Sequence, residues 1–322
     1  MVQRDISEFA NEDEYAAQMA TGALLNPRVD STFKALFTQP NDDSRGALQS
    51  FLEAATERKI ASWELRPNEA PVGFSGQRGV SYDIACEFAN GLSADIEMQA
   101  FDQLYDYGKR AEYQVARLET TYLKKGDNWE QAPTVYQITV LDFNYVPKDD
   151  GRKTPATDIA ATPTPVSRYA MRTKDGRELA NALNIIFIEL PKALMLESQL
   201  ETNSPLENWA IFLKDADNPQ KQDVIDRLAQ KEAGLMQAQK SLSNISANRD
   251  LWIAQYRQEV RDRDRRSGLS AALAEGRTLG IAEGRTLGIA EGKLALAKKF
   301  MLLGHSAKEA AAFAEIDISL LK

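Results

Sequence analysis

Apolar residues recur at helical spacing from about Ser44 to Glu57, and two strand-like runs follow at 80–89 and 93–99. In the first run Tyr82, Ile84, Cys86 and Phe88 alternate with Asp83, Ala85, Glu87 and Ala89. In the second, Ala94, Ile96 and Met98 alternate with Asp95, Glu97 and Gln99. A period of two predicts strands with one apolar and one polar face. The pattern then predicts a helix over about 101–124 and strands near 134–143 and 184–190. Between those strands, Pro147 to Pro165 is crowded with Lys, Asp, Thr and Pro and is expected to be a solvated loop. From Pro205 onward Ala, Leu, Gln, Lys and Glu recur at helical spacing without a strand pattern. Helix, hairpin, helix and further strands in that order predict an α/β or α+β core followed by a helical tail.

Asn90-Gly91 marks the bend of the hairpin. A two-residue loop would set Ile84 against Glu97 and Asp83 against Met98, mixing apolar and charged side chains on each face. A three-residue loop over 90–92 pairs Ile84 with Met98, Cys86 with Ile96 and Phe88 with Ala94. It places Asp83 opposite Gln99 with Glu97 on its diagonal. Gly91 then takes the left-handed conformation such a turn needs. Two carboxylates and a carboxamide converge on one face of a ribbon whose other face is core.

Composition narrows the chemistry. With 322 residues, 43% of them apolar and 27% charged, the chain is that of a globular protein with one sizeable core plus appendages, or two small domains. A net charge of −8 excludes a protein that coats phosphate with a broad basic surface, so any DNA contact must be local. The single Cys86 excludes an intramolecular disulfide and a multi-cysteine metal cage, and its place in a strand predicts a buried apolar role. The single His305, in a Gly-His-Ser turn, leaves acid–base and metal chemistry to carboxylates. The first twenty residues lack a secretory pattern and no run approaches about 18 apolar residues, so the expectation is a cytoplasmic protein with no membrane partner.

The tail differs from the body. Residues 251–322 hold 12 Lys and Arg against 9 Asp and Glu, while the first 250 residues are strongly acidic. AEGRTLGI occupies 274–281 and again 282–289, followed by AEGK at 290–293, so glycine falls every fourth residue from 276 to 292. On a helix these glycines form a slowly winding groove, at a cost of roughly 1 kcal/mol each relative to Ala. Two readings stand: a helix that joins copies into a homo-oligomer or docks a partner, and a duplication that an exposed tail tolerates. The arginines at 257, 261, 263, 265 and 266 are interleaved with Asp262 and Asp264. They suit either local DNA contact or a salt-bridged solvated helix. Only a weak signal for a helix-turn-helix extends over Gly304–Lys322.

Two acidic side chains a few ångströms apart form a hard-oxygen site for Mg²⁺ or Mn²⁺, suited to phosphodiester hydrolysis. The same alternation also describes a solvated polar sheet face. The run Asp83-(x)13-Glu97-Met98-Gln99 resembles the D…ExQ motif of the PD-(D/E)XK nuclease superfamily, and specifically its recombination-promoting nuclease and transposase family. Asp30-Ser-Thr-Phe33-Lys34-Ala-Leu-Phe37 resembles that family's opening block. Lys109-Arg110 with Tyr113, the strand from Tyr136 to Phe143, and Ile188-Glu-Leu-Pro-Lys192 resemble its later blocks, as does the Gly-rich tail. The likeness covers roughly 24–192 plus the tail.

The resemblance implies a PD-(D/E)XK, restriction-endonuclease-like α/β fold: a mixed sheet flanked by helices, with a helical C-terminal tail. It implies an N-terminal extension over 1–23, a nuclease-like core over 24–195 and a helical region over 196–322. The implied activity is metal-dependent DNA endonuclease chemistry linked to recombination or mobile elements. Asp83 and Glu97 would be the ligands of Mg²⁺ or Mn²⁺, with the Met98 carbonyl completing the shell, and Gln99 stands where the superfamily usually has lysine. A carboxamide orients water but brings no positive charge. The acid of the first core helix would be Asp30 or Glu53; Asp30 also suits a helix cap. Lys34, Lys109, Arg110 and Tyr113 are the candidate DNA contacts. The competing expectation is a catalytically silent or weakly active nuclease-fold scaffold that works through its tail.

Overall fold

The computed structural model describes residues 12–13, 15–69, 78–89, 91–103, 105–122, 125–146 and 164–321. Most of the predicted Pro147–Pro165 loop, Asn90 and the start of the N-terminal extension lie outside these residues. Two compact units divide at Arg261 and Asp262.

The first unit is built on a six-stranded mixed sheet. Its strands are β1 (Trp63–Arg66), β2 (Ile84–Phe88), β3 (Ser93–Gln99), β4 (Val135–Leu141), β5 (Val166–Ala170) and β6 (Leu183–Glu189), in the order β1-β2-β3-β4-β6-β5. β3, β4 and β6 are parallel, while β1, β2 and β5 add antiparallel pairs at the two sides. Helices α1 (Asp30–Thr38), α2 (Asp42–Thr56), α4 (Pro205–Asp215), α5 (Gln222–Lys231) and α6 (Ala233–Ser246) carry the side chains of the larger core. Phe37, Phe51, Trp209 and Phe212 stack through it at ring separations of 5.3–5.8 Å. They meet Ile84, Cys86, Ile96, Ile138 and Ile186 from the sheet. Helix α3 (Tyr107–Tyr122) crosses over between β3 and β4 and packs Val115, Leu118 and Ala111 on the other face.

Local chemistry sets the boundaries. Asn41 caps α2 through Ser44 N–H at 2.8 Å, and Ser204 with Glu207 forms a reciprocal cap ahead of Pro205. Helix α3 begins at Tyr107 and not near 101, because the Asp106 carboxylate takes the Gly108 N–H at 2.9 Å and the preceding residues are irregular. No alternating pattern marks β1 and β5 along the chain. Both are short edge strands with exposed Glu64, Arg66, Arg168 and Tyr169, so neither alternates cleanly.

Helices α4 to α6 share the main core, so the helical region predicted from 196 contributes its first part to the sheet-bearing unit. Helix α7 (Arg249–Leu302) enters that unit at Trp252, which packs edge-on against Tyr15 at 5.8 Å. The second unit holds the remainder of α7 and α8 (Ala307–Ala314), whose alanines pack around Ala297. There His305 stacks on Phe300 at 3.9 Å, and a Cβ added at any repeat glycine would meet nothing within 4 Å beyond its own stretch of helix among the described residues. Cys86 is buried, which pushes its thiol pKa up, as its strand position predicts. No described helix is long and apolar enough to cross a membrane.

Candidate active site

The β2–β3 hairpin determines which acids meet. Its register pairs Ile84 with Ile96 and Cys86 with Ala94, closing with Phe88 N–H to Leu92 C=O at 2.8 Å. The loop therefore spans 89–91 and not the expected 90–92, a two-residue displacement of the pairing. Face parity is unchanged, so the apolar set still meets the apolar set. The observed register buries Leu92 beside Phe88, where the expected one would leave it in the loop. Gly91 has φ +77°, the left-handed conformation anticipated for it. Continued one step beyond the strand, this register sets Asp83 across from Glu97 itself and not from Gln99.

Glu97 is 0% exposed and saturated with donors. Tyr107 OH donates to Oε2 at 2.7 Å, Arg110 donates to both oxygens at 3.1 and 3.3 Å, Gln114 Nε2 donates to Oε1, and Gln99 Nε2 lies 3.4 Å from Oε2. Residues 107, 110 and 114 are spaced three and four apart, so α3 presents them on one face to β3. Burial raises the pKa of Glu97; Arg110 opposes this and the charge of Asp83 reinforces it, leaving a net rise. Arg110 is desolvated too, but Glu97 keeps its guanidinium firmly charged, and it lies over the Tyr107 ring at 5.5 Å.

Asp83 is held from the other side. Its Oδ2 accepts Met98 N–H at 3.1 Å, and its Oδ1 lies 2.9 Å from Lys34 Nζ. Lys34 also reaches Asp30 Oδ2 at 3.0 Å, one helical turn back along α1. Asp30 is the first residue of α1 and makes no cap; its Oδ1 is buried without a hydrogen-bond partner. Burial and the neighbouring Asp83 charge raise its pKa. Glu53, the alternative first-helix acid, is engaged at the far end of α2 with Ile60 N–H at 3.0 Å and Lys59 at 2.8 Å. Asp30 is thus the one that adjoins Asp83.

A third carboxylate on β3, Asp95, is fully buried beside the side chain of Gln137, its partner in the β4 ladder. Burial drives its pKa well up, and the Glu97 and Asp83 charges add to that. Its alternation with Glu97 was visible in the sequence. What hid its significance is α3, which covers a face that alternation alone reads as solvated. Tyr107 and Gln114 were missed as well, although their spacing from Arg110 was a usable signal.

The candidate DNA contacts separate. Lys34 belongs to the carboxylate cluster, whereas Lys109, Arg110 and Tyr113 line a groove of about 580 Å³ with Arg78, Tyr105 and Gln114. Lys109 is exposed there, and the Tyr113 hydroxyl donates to the Arg78 carbonyl at 3.0 Å. Of the tail arginines, Arg257 is paired with Glu12 at 2.6 Å.

Among the described residues no group of three or more His, Cys, Asp or Glu side chains is already arranged as a metal cage. The nearby donors are hard oxygens all the same: Lys34 bridges Asp30 and Asp83, the charges of Asp83 and Glu97 act on each other, and the buried Asp30 Oδ1 has no hydrogen-bond donor. Lys34 and Arg110 are partly exposed, so an entering ion has groups it can displace.

A profile of the family described as PD-(D/E)XK nuclease family transposase matches residues 27–272. The chain belongs to that family. Membership carries a nuclease- and transposase-like function and a fold that agrees with the mixed sheet and flanking helices, and such nucleases generally use divalent metals. The match runs through α4 to α6 and into α7. No curated protein and no solved structure matches the chain.

Proposed function

We propose that this family member is a DNA endonuclease that hydrolyses phosphodiester bonds with Mg²⁺ or Mn²⁺, in the service of recombination or mobile elements. The supporting observation is that the charges of Asp83 and Glu97 act on each other across the hairpin, where α1 brings in Asp30 through Lys34 and α3 brings in a basic, tyrosine-lined groove. Asp83 and Glu97 would hold the ion, with Asp30 beside them and the Met98 carbonyl as a further ligand. Such an ion, when bound, lowers the pKa of a coordinated water and offsets charge on the phosphoryl oxygens.

The chain's own groups do the rest. Tyr107 and Gln114 fix the rotamer of Glu97, Gln99 is placed to orient water with its carboxamide, and Lys109, Arg110 and Tyr113 guide the DNA backbone along the groove. Arg78, Lys109 and Arg110 make that groove locally basic, which is how a chain of net charge −8 can still engage DNA. Supercoiled plasmid with Mg²⁺ or Mn²⁺ tests the proposal. Asp83→Asn and Glu97→Gln, which keep size and hydrogen-bonding capacity, should each slow nicking by at least about 100-fold. Equal nicking by all three proteins would reject it.

One observation favours a second reading. Both carboxylates are already neutralised, Asp83 by Lys34 and Glu97 by Arg110, as in a silent scaffold. A scaffold would bind no Mn²⁺ in calorimetry and would nick no plasmid.

A further inference from the structure

The candidate site lacks a positive charge at Gln99, and among the described residues two cations pair with Asp83 and Glu97. Arg110 is committed to both oxygens of the buried Glu97. Lys34 is different. Its Nζ lies 2.9 Å from Asp83 Oδ1 and 3.0 Å from Asp30 Oδ2, on a side chain that is 35% exposed. It therefore touches a metal-ligand candidate while facing solvent from which a phosphate can arrive. Its helix is anchored, because Phe33 and Phe37 on either side of it are buried in the main core and Phe33 N–H closes on Val29 C=O at 2.8 Å. The ammonium is consequently presented from a rigid element.

We propose that Lys34 is a catalytic residue, supplying from α1 the fixed positive charge that Gln99 cannot supply from β3. This rests on the nuclease reading. In hydrolysis the water oxygen bonds to phosphorus as the phosphorus–oxygen ester bond breaks. The proton lost by water passes to solvent, and the departing alkoxide takes one from solvent. Negative charge gathers on the non-bridging oxygens between those events, and an ammonium aimed at them lowers the barrier without giving up a proton. Burial alone would favour neutral lysine, but Asp83 and Asp30 outweigh it, so Lys34 stays charged. In the structure that charge sits on Asp83, where it competes with any divalent ion for the same oxygen.

Competition gives the proposal a signature beyond rate. A lysine that merely held Asp83 in place would, once removed, weaken metal binding. A lysine that shares the carboxylate with the ion would, once removed, tighten it. The experiment compares full-length wild type, Lys34→Gln and Lys34→Arg for plasmid nicking with Mg²⁺, for Mn²⁺ affinity by calorimetry and for thermal melting. The expected result is that Lys34→Gln nicks about 100-fold more slowly, binds Mn²⁺ more tightly and melts within a few degrees of wild type, while Lys34→Arg recovers part of the rate. Wild-type nicking by Lys34→Gln overturns the proposal and leaves the nuclease reading standing. Slower nicking with weakened Mn²⁺ binding also overturns it. Absence of both nicking and Mn²⁺ binding in wild type overturns the two together.

Discussion

The Asp95 carboxyl is wholly buried on β3, beside the Gln137 side chain, and shares its surroundings with the Asp83 and Glu97 charges. Its folded-state pKa lies well above its unfolded value of about 4, so the folded state holds this proton more tightly than the unfolded state does. The stability it contributes is fully present below pH ~4 and is lost as pH rises toward and through the folded pKa. Asp95→Asn, which cannot ionise, should therefore raise the melting temperature of metal-free protein at pH 8 and change it little at pH 4. Each pKa unit relieved is worth about 1.4 kcal/mol. Melting curves at both pH values with chelator present check this, and a shift of equal size at both would contradict it. The same crowding explains why Asp83 and Glu97 are each paired with a cation.

At the scale of elements, the packing of α2 against α6 fixes the helices that frame the site. Ser241 on α6 donates to the Leu36 carbonyl of α1 at 2.8 Å, tying three helices together. The contact is close because both partners use small residues. A side chain at Gly234 would run into Ser50 Oγ and Cβ, a short side chain with nowhere to turn, whereas one at Gly46 would meet only the terminal amide of Gln237. Gly234→Ala should therefore destabilise the protein by about 1–3 kcal/mol. Gly46→Ala should be neutral or gain up to about 1 kcal/mol from helix propensity once Gln237 rotates aside. Urea melts of the two variants separate these outcomes, and equal effects would show that the interface is more yielding than described. Elements of this kind were legible wherever periodicity was strong: α2, β2, β3, β4 and β6 sit close to where alternation and helical spacing predict them. The edges were not, since β1 and β5 pair along one side only and carry charge. Hairpin parity was legible but its register was not, because a displacement of two residues leaves every face unchanged and only the burial of Leu92 distinguishes the alternatives.

At the scale of the whole molecule, the acidic surplus of the chain and the location of its site are connected. The motif acids could be named from sequence because Asp83 and Glu97 are displayed by a hairpin whose bend is written in Asn90-Gly91. The pairing of these acids could not: Lys34 and Arg110 were legible only as DNA contacts and Tyr107 and Gln114 not at all, since Lys34 comes from a helix some fifty residues upstream and the others from a crossover helix whose docking face depends on the finished sheet. The tail repeats carry the opposite lesson. Their period was plain, yet a Cβ added at any of these glycines would face open space among the described residues, so the repeat alone assigns no role. Asp83 and Glu97 are the carboxylates that one divalent ion should engage. The most direct measurement is calorimetric titration of full-length protein with Mn²⁺. One ion per chain, with binding abolished by Asp83→Asn and by Glu97→Gln, is the predicted result. Failure of the wild type to bind, or binding that survives both substitutions, would contradict it.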